Sequence, residues 1–274
     1  MTTKRILAAL CAALALCLLL TGCGGGKKAP AATATEAADL LAQIKESGVI
    51  TIAMEGTWAP WTYHDETDKL VGYDVEVGQK IAEWIGVTPQ FIEGEWDGLL
   101  AGLEAGRYDI MINGVDVTPE REQKYAFSTP YAYNRTAVIV RADDDRIQTM
   151  EDLSGLQTAN TISSTYAEVA EKYGATVTGV DDLNQTMELL LSGRIDATLN
   201  AEVTFYDYMK AHPDAGLKIA AIDPEQTSVA IPMRKGDKTV TLLEAVNNAL
   251  AELAANGELK ALSEKYFGTD ISSN

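Results

Sequence analysis

Three groups of residues in this 274-residue chain have the types and spacing to recognise a small charged molecule. Arg121 closes the run Asp116-Val117-Thr118-Pro119-Glu120-Arg121, and its planar guanidinium fork can bond both oxygens of a carboxylate. The competing reading is a surface ion pair with Glu120 or Glu122. Ser163-Ser164-Thr165 stands just before a helical stretch, where backbone N–H groups left unpaired by the helix favour an anion. Ser164 as a helix cap is compatible with that role. Glu55 ends the first apolar strand, where it can meet a donor on a ligand. Covalent and metal chemistry are poorly supplied. His64 and His212 are the only histidines and lie far apart, no Cys/His spacing suggests a metal, and neither Ser163 nor Ser164 has a histidine near in sequence. No cofactor or metal is expected.

The elements that must position these groups announce themselves through a repeat. LEAGRYDIMIN (103–113) and LLSGRIDATLN (190–200) lie 87 positions apart, and each reads as a helical run, a Gly-Arg-x-Asp break and a short strand ending in Asn. Gly106 and Gly193 suit the left-handed position that ends a helix. The apolar runs after Asp109 and Asp196 suit buried parallel strands. Two similar α/β lobes follow, and parallel sheets bind ligands beyond the carboxyl ends of their strands. The residues after Asn113 and Asn200 should therefore face a shared cleft. A short helix is expected over 36–47, a first strand over 49–54, and a helix over 74–85 with Val75, Gly78, Ile81, Ala82 and Ile85 on one face. Thr118-Pro119 should open a helical turn. The β-branched run 137–141 (AVIVR) and the segment 227–233 are read as the strands that cross between lobes, and helices over 242–256 and 259–266 complete the first lobe.

The N-terminus reads as an export signal. Lys4 and Arg5 precede an apolar run over 6–20 that ends in Leu20-Thr21-Gly22-Cys23, too short and one-sided for a membrane span. That ending matches a lipobox, which makes 1–22 a signal peptide and Cys23 the lipidated residue, followed by a flexible tether over 23–45. Gly24–Gly26 belong to the tether, since no strand precedes them as a phosphate loop would need. Cys11 and Cys17 leave with the signal, so no disulfide is expected. Cleavage removes two basic residues and no acid, leaving 20 Lys+Arg against 40 Asp+Glu, a formal charge of −20. A chain that acidic is a poor partner for nucleic acid.

GTWAPWTYHD (56–65), LVGYDVEV (70–77), EWDGLLAGL (95–103), DVTPER (116–121) and FSTPY (127–131), in this order and spacing, resemble the extracytoplasmic substrate-binding proteins of polar amino acid ABC importers. The ending Lys265-Tyr266-Phe267-Gly268 extends the likeness, and the opening stretch is most similar to the cystine-binding branch. The resemblance implies an α/β, two-lobed periplasmic-binding-protein type II fold with its ligand cleft between lobes joined by two crossing strands. Lobe 1 would comprise 46–133 plus 229–268, lobe 2 134–228, and 269–274 a tail.

The resemblance also implies roles. Arg121, Ser164 and Thr165 would hold the carboxylate of a free amino acid. The ammonium exposes a departure, because the acid that much of the family carries after the second-lobe strand is here Ala201. A buried ammonium needs an acid, so Asp116, helped by the Gly114 carbonyl, is expected to take it from the first lobe, with Glu202 pointing out of the cleft. Glu55, Trp58, Trp96 and Asn113 would surround the ligand side chain, with Trp61 in the lobe core. Glu55 argues against an acidic ligand and fits the second ammonium of cystine, or a basic or amide side chain. The implied protein is a monomeric, lipid-anchored extracytoplasmic receptor that delivers its amino acid to an ABC permease. The alternatives are a dehydratase-like enzyme or a ligand sensor on the same scaffold.

Overall fold

The computed structural model describes residues 39–274. The expected signal peptide, Cys23 and the tether as far as residue 38 lie outside the described residues. Helix α1 (Leu40–Ser47) starts where the Asp39 carboxylate accepts the Ala42 N–H and stops at Gly48, φ 72°. The tether expected to reach residue 45 is thereby corrected: residues 40–45 are helical.

Two five-stranded sheets form the body. The first contains β1 (Val49–Met54), β5 (Thr88–Glu93), β6 (Ile110–Met111), β7 (Tyr125–Phe127) and β13 (Pro232–Arg234), in the order β5-β1-β6-β13-β7. Strands β5, β1 and β6 are parallel, and β13 is antiparallel to both its neighbours. The second contains β8 (Ala132–Arg141), β9 (Gln157–Asn160), β10 (Thr176–Gly179), β11 (Ala197–Ala201) and β12 (Leu217–Val229), in the order β10-β9-β11-β8-β12. Here β10, β9 and β11 are parallel and β8 is antiparallel to β11 and β12. The same parallel trio therefore occurs in each lobe.

Helix α2 (Tyr73–Ile85) buries the five positions expected of its apolar face and packs against α8 (Val240–Ala255) and α9 (Glu258–Phe267). Helix α3 (Trp96–Glu104) lies on β1 and β6, and α4 (Pro119–Lys124) carries Arg121 after a Thr118 cap. The second lobe adds α5 (Thr165–Lys172), α6 (Leu183–Leu191) and α7 (Glu202–Ala211).

The repeat has one structural meaning in both lobes. Gly106 and Gly193 have φ 73° and 70°. Asp109 then accepts the Thr51 N–H and hydroxyl at 2.8 and 2.7 Å, while Asp196 accepts the Gln157 N–H at 2.9 Å and Arg146 at 2.7 Å. Each Asp so pins its strand to the start of the neighbouring parallel strand. The run 137–141 does not cross between lobes as expected; it lies inside the second sheet, paired on both sides, because four fully buried residues in succession need a sheet centre. The crossing occurs just before it. Tyr131 N–H bonds the Val229 carbonyl and Ser128 N–H the Ile231 carbonyl, both at 3.0 Å. Unforeseen is a three-stranded meander of β2 (Thr57–Trp58), β3 (Thr62–His64) and β4 (Leu70–Val71), which stacks Trp58 on Trp61 at 5.3 Å.

Candidate functional site

The carboxyl ends of the two parallel trios face each other across a narrow cleft lined from both lobes. The lobes are drawn together by direct bonds. Ser163 donates its N–H and hydroxyl to Asp97 at 3.1 and 2.6 Å. Trp58 Nε1 donates to Asn200 Oδ1 at 3.3 Å and Trp61 Nε1 to Thr204 Oγ1 at 3.1 Å. The cleft is shut.

Arg121 lines this space and is 6 % exposed. Its Nη1 donates to the Asp116 carbonyl and its Nη2 to the Ser163 carbonyl across the cleft, each at 3.0 Å, and its guanidinium lies 5.4 Å from the Trp96 ring centroid. These contacts, rather than an ion pair with Glu120 or Glu122, fix the fork, leaving further N–H groups of its five for a ligand. The side chain of Ser164 caps α5 by accepting the Ala167 N–H, and it donates to the Thr161 carbonyl. The Thr165 hydroxyl donates to Asp116 Oδ2. Both residues line the cleft, but with their hydroxyls committed, α5 offers an anion its first-turn N–H groups instead.

Asp116 is 4 % exposed and accepts from Thr165 and, at 2.8 Å, from Thr227. Burial raises its carboxyl above the usual range, against the pull of those two hydroxyls and of Arg121. Gly114 beside it holds φ +53°, and a Cβ there would stand 2.6 Å from Trp58, so the glycine lets the backbone approach the indole. Its N–H donates to the buried Asp74 carboxylate at 2.6 Å. Ala201 is fully buried and brings no acid to the cleft. Glu202 is turned away, paired with Arg135 at 2.7 Å.

Trp58, Trp96 and Glu55 line the same space, and Trp61 is fully buried against Tyr73 and Phe267. Asn113 is a correction. Expected to touch the ligand side chain, it is fully buried, accepts the Glu55 N–H at 2.7 Å and donates to Glu55 Oε2 at 2.6 Å. Asn113 therefore aims Glu55: in this copy of the repeat the terminal Asn is held beneath the end of β1, whereas Asn200 of the other copy lines the cleft. The second lobe also lines it with Asn160, Tyr166, Asp182, Leu183, Thr186 and Asn200, none of which was expected there from the sequence. The rule that ligands meet the carboxyl ends of parallel strands points to Asn160, and to Asp182 three residues past β10.

The carboxyls carry a pH signature. Burial pushes Glu55 up to about 7, opposed by its Asn113 bond and reinforced by the charges of Asp182 and Asp97. Burial likewise pushes Asp74 up to about 7, opposed by Tyr131 and the Gly114 N–H. Raised carboxyl pKa values mean that the folded state binds more protons than the unfolded one between roughly pH 4.5 and 7, so stability falls as pH rises through that window. A ligand ammonium that needs ionised Glu55 reverses the slope. The melting temperature of the unliganded protein is expected to be higher at pH 5.5 than at pH 8. Affinity for such a ligand should fall about tenfold from pH 8 to pH 6, as one proton must leave. Calorimetry at both pH values checks this, and parallel slopes would contradict it.

A polar cleft roofed from both lobes, with crossing strands at its back, is how a two-lobed solute-binding protein encloses its cargo. Residues 50–269 match the bacterial extracellular solute-binding proteins, family 3, and the chain belongs to that family. It is 38 % identical to the L-cystine-binding protein TcyA of Bacillus subtilis over 92 % of this chain and 94 % of that protein. Among solved structures, the substrate-binding protein AbpA of Streptococcus pneumoniae bound to L-arginine superposes with a TM-score of 0.76 at 28 % identity, covering 85 % of this chain and 100 % of that one. The L-cystine receptor of Neisseria gonorrhoeae in its unliganded open conformation is 38 % identical over 85 % and 99 % of the two chains, with a TM-score of 0.59. The higher score goes with the liganded neighbour although its sequence is the less similar, in keeping with lobes drawn together here.

Proposed function

We propose that this protein is the receptor of an amino acid importer that captures a free polar amino acid between its lobes, cystine first and a basic or amide amino acid next. The observation that carries this reading is Arg121, buried, held by carbonyls from both lobes and facing the start of α5. That pair of features suits one carboxylate gripped from two sides. Asp116 takes the α-ammonium and Glu55 meets a donor at the other end, between Trp58 and Trp96. The similarity to TcyA, a cystine-binding protein, supports cystine within this class. Ligand favours the closed state only through contacts it makes better there, and here those contacts lie on both lobes. Glu55, with its carboxyl near neutrality, has the character of an acid–base group, yet the cleft is built to hold an intact amino acid, so no reaction is proposed.

Cargo goes to a membrane permease, and the receptor acts as a monomer tethered through lipidated Cys23. Among the described residues no helix is long and apolar enough to cross a membrane. Cys23→Ser is expected to move the protein from the membrane fraction to the medium; persistence in the membrane fraction would contradict the anchor.

Thermal unfolding of the purified full chain against the twenty amino acids, cystine and ornithine tests the ligand class. Ligand at a hundred times its dissociation constant adds about 2.7 kcal/mol, several degrees for a protein of this size. Cystine should give the largest shift; a largest shift with glutamate or aspartate would overturn the assignment of Glu55.

A further inference from the structure

The far end of the cleft holds acceptors that an amino acid head at Arg121 and Asp116 leaves unused. Asp116 and its partners Thr165 and Thr227 lie on the side where the chain passes between lobes next to β8 and β12. Glu55 and Asp182 follow β1 and β10, on the opposite side of each sheet. The register pairs Gly179 of β10 with Asn160 of β9, so Asp182 and Asn160 stand on neighbouring strand ends.

Asn160 is the telling residue. Its side chain is 3 % exposed and lines the cleft, and Nδ2 donates to the Leu199 carbonyl at 2.7 Å. Its Oδ1 has no partner in the protein, an arrangement buried acceptors rarely tolerate. Neighbouring Asn200 differs, its Oδ1 being taken by Trp58 Nε1 and the Ala201 N–H. Asp182 accepts the Gln185 N–H at 3.0 Å as the cap of α6 while lining the same space, and Glu55 lines it from the other lobe. Arg121 is the one basic residue among those that line the cleft, and it sits beside Asp116. Two carboxylates and a buried carbonyl oxygen thus converge with no protein cation between them, which calls for a cation from the ligand.

We infer that Asp182 and Asn160, facing Glu55, form a second subsite that binds a primary ammonium at the far end of the ligand. The cargo class is then a two-headed diamino acid of cystine's kind rather than any polar amino acid. The inference rests on the reading of the cleft as an amino acid site and narrows it. Trp96 agrees with an extended polar ligand, since its buried indole N–H also lacks a protein partner and can donate to a ligand oxygen.

The test compares two ligands by titration calorimetry on the full chain, freed of carried-over ligand by unfolding and refolding. One ligand is L-cystine. The other is the mixed disulfide of cysteine with 3-mercaptopropionic acid, which keeps one complete head and lacks the far ammonium. The wild type is expected to prefer cystine by about a hundredfold. That preference should shrink about tenfold in Asp182→Asn and severalfold in Asn160→Leu. Each variant is read as a ratio between two ligands, and a variant that does not refold leaves the wild-type ratio to decide. Equal affinity of the wild type for both ligands would overturn the subsite, as would a preference unchanged within twofold in both variants. Cystine binding with either result leaves the amino acid reading intact. Binding of arginine or ornithine but not cystine would overturn the two-headed class. Binding of neither disulfide nor any free amino acid would sink the reading of the cleft itself.

Discussion

Replacing Arg121 with methionine abolishes ligand capture, with an expected loss of roughly a thousandfold in affinity for cystine, or about 4 kcal/mol. The size follows from the site. A carboxylate taken from water into a shut cleft loses its hydration, and charge-assisted bonds to a guanidinium fork are the strongest replacement a side chain can offer. Arg121 is already immobilised by the Asp116 and Ser163 carbonyls, so little side-chain entropy remains to be lost on binding. The substitution also strips a donor from Ser163, which belongs to the opposite lobe, and so loosens closure as well as recognition. Arg121→Lys is expected to recover little, because an ammonium cannot span both carboxylate oxygens as the fork does. Titration calorimetry on variants with native near-ultraviolet circular dichroism reads the effect. An affinity within threefold of wild type would place the ligand carboxylate elsewhere.

The second large effect belongs to Asp116. Asp116→Ala is expected to cost roughly a hundredfold or more, since it leaves the α-ammonium buried without a counter-charge. Ala201 and the outward-facing Glu202 offer no substitute. Asp116→Asn separates charge from hydrogen bonding. It should lose most of the affinity, yet the unliganded variant should melt no lower than wild type at pH 8, because burial already disfavours the ionised carboxyl and the amide resembles its protonated form. An Asp116→Ala variant within threefold of wild type would contradict the transfer of the ammonium partner to the first lobe.

What the sequence made legible was local. The repeat around Gly106 and Gly193 announces two lobes because a helix stop, an Asp that pins a strand start and a buried strand each leave a mark within a few residues. The helix starts that carry Arg121 and Ser164 were legible for the same reason: Arg121 follows the Thr118 cap of α4, and Ser164 is itself the cap of α5. Asn113 was misjudged because its partners, the Glu55 N–H and carboxylate, lie 58 positions away. Asp182 and Asn160 were missed because they meet only through the pairing of β10 with β9 and the approach of Glu55 from the other lobe. The crossing was placed too late because a β-branched run looks alike at a hinge and in a sheet centre; the partners on either side decide between them.

The central claim is that this cleft binds a free amino acid, and titration of the refolded, ligand-free full chain with L-cystine tests it most directly. Exothermic binding with one cystine per chain, weakening as pH falls from 8 to 6, is the expected result. No binding of cystine or of any proteinogenic amino acid by a protein that refolds with native near-ultraviolet circular dichroism would contradict it.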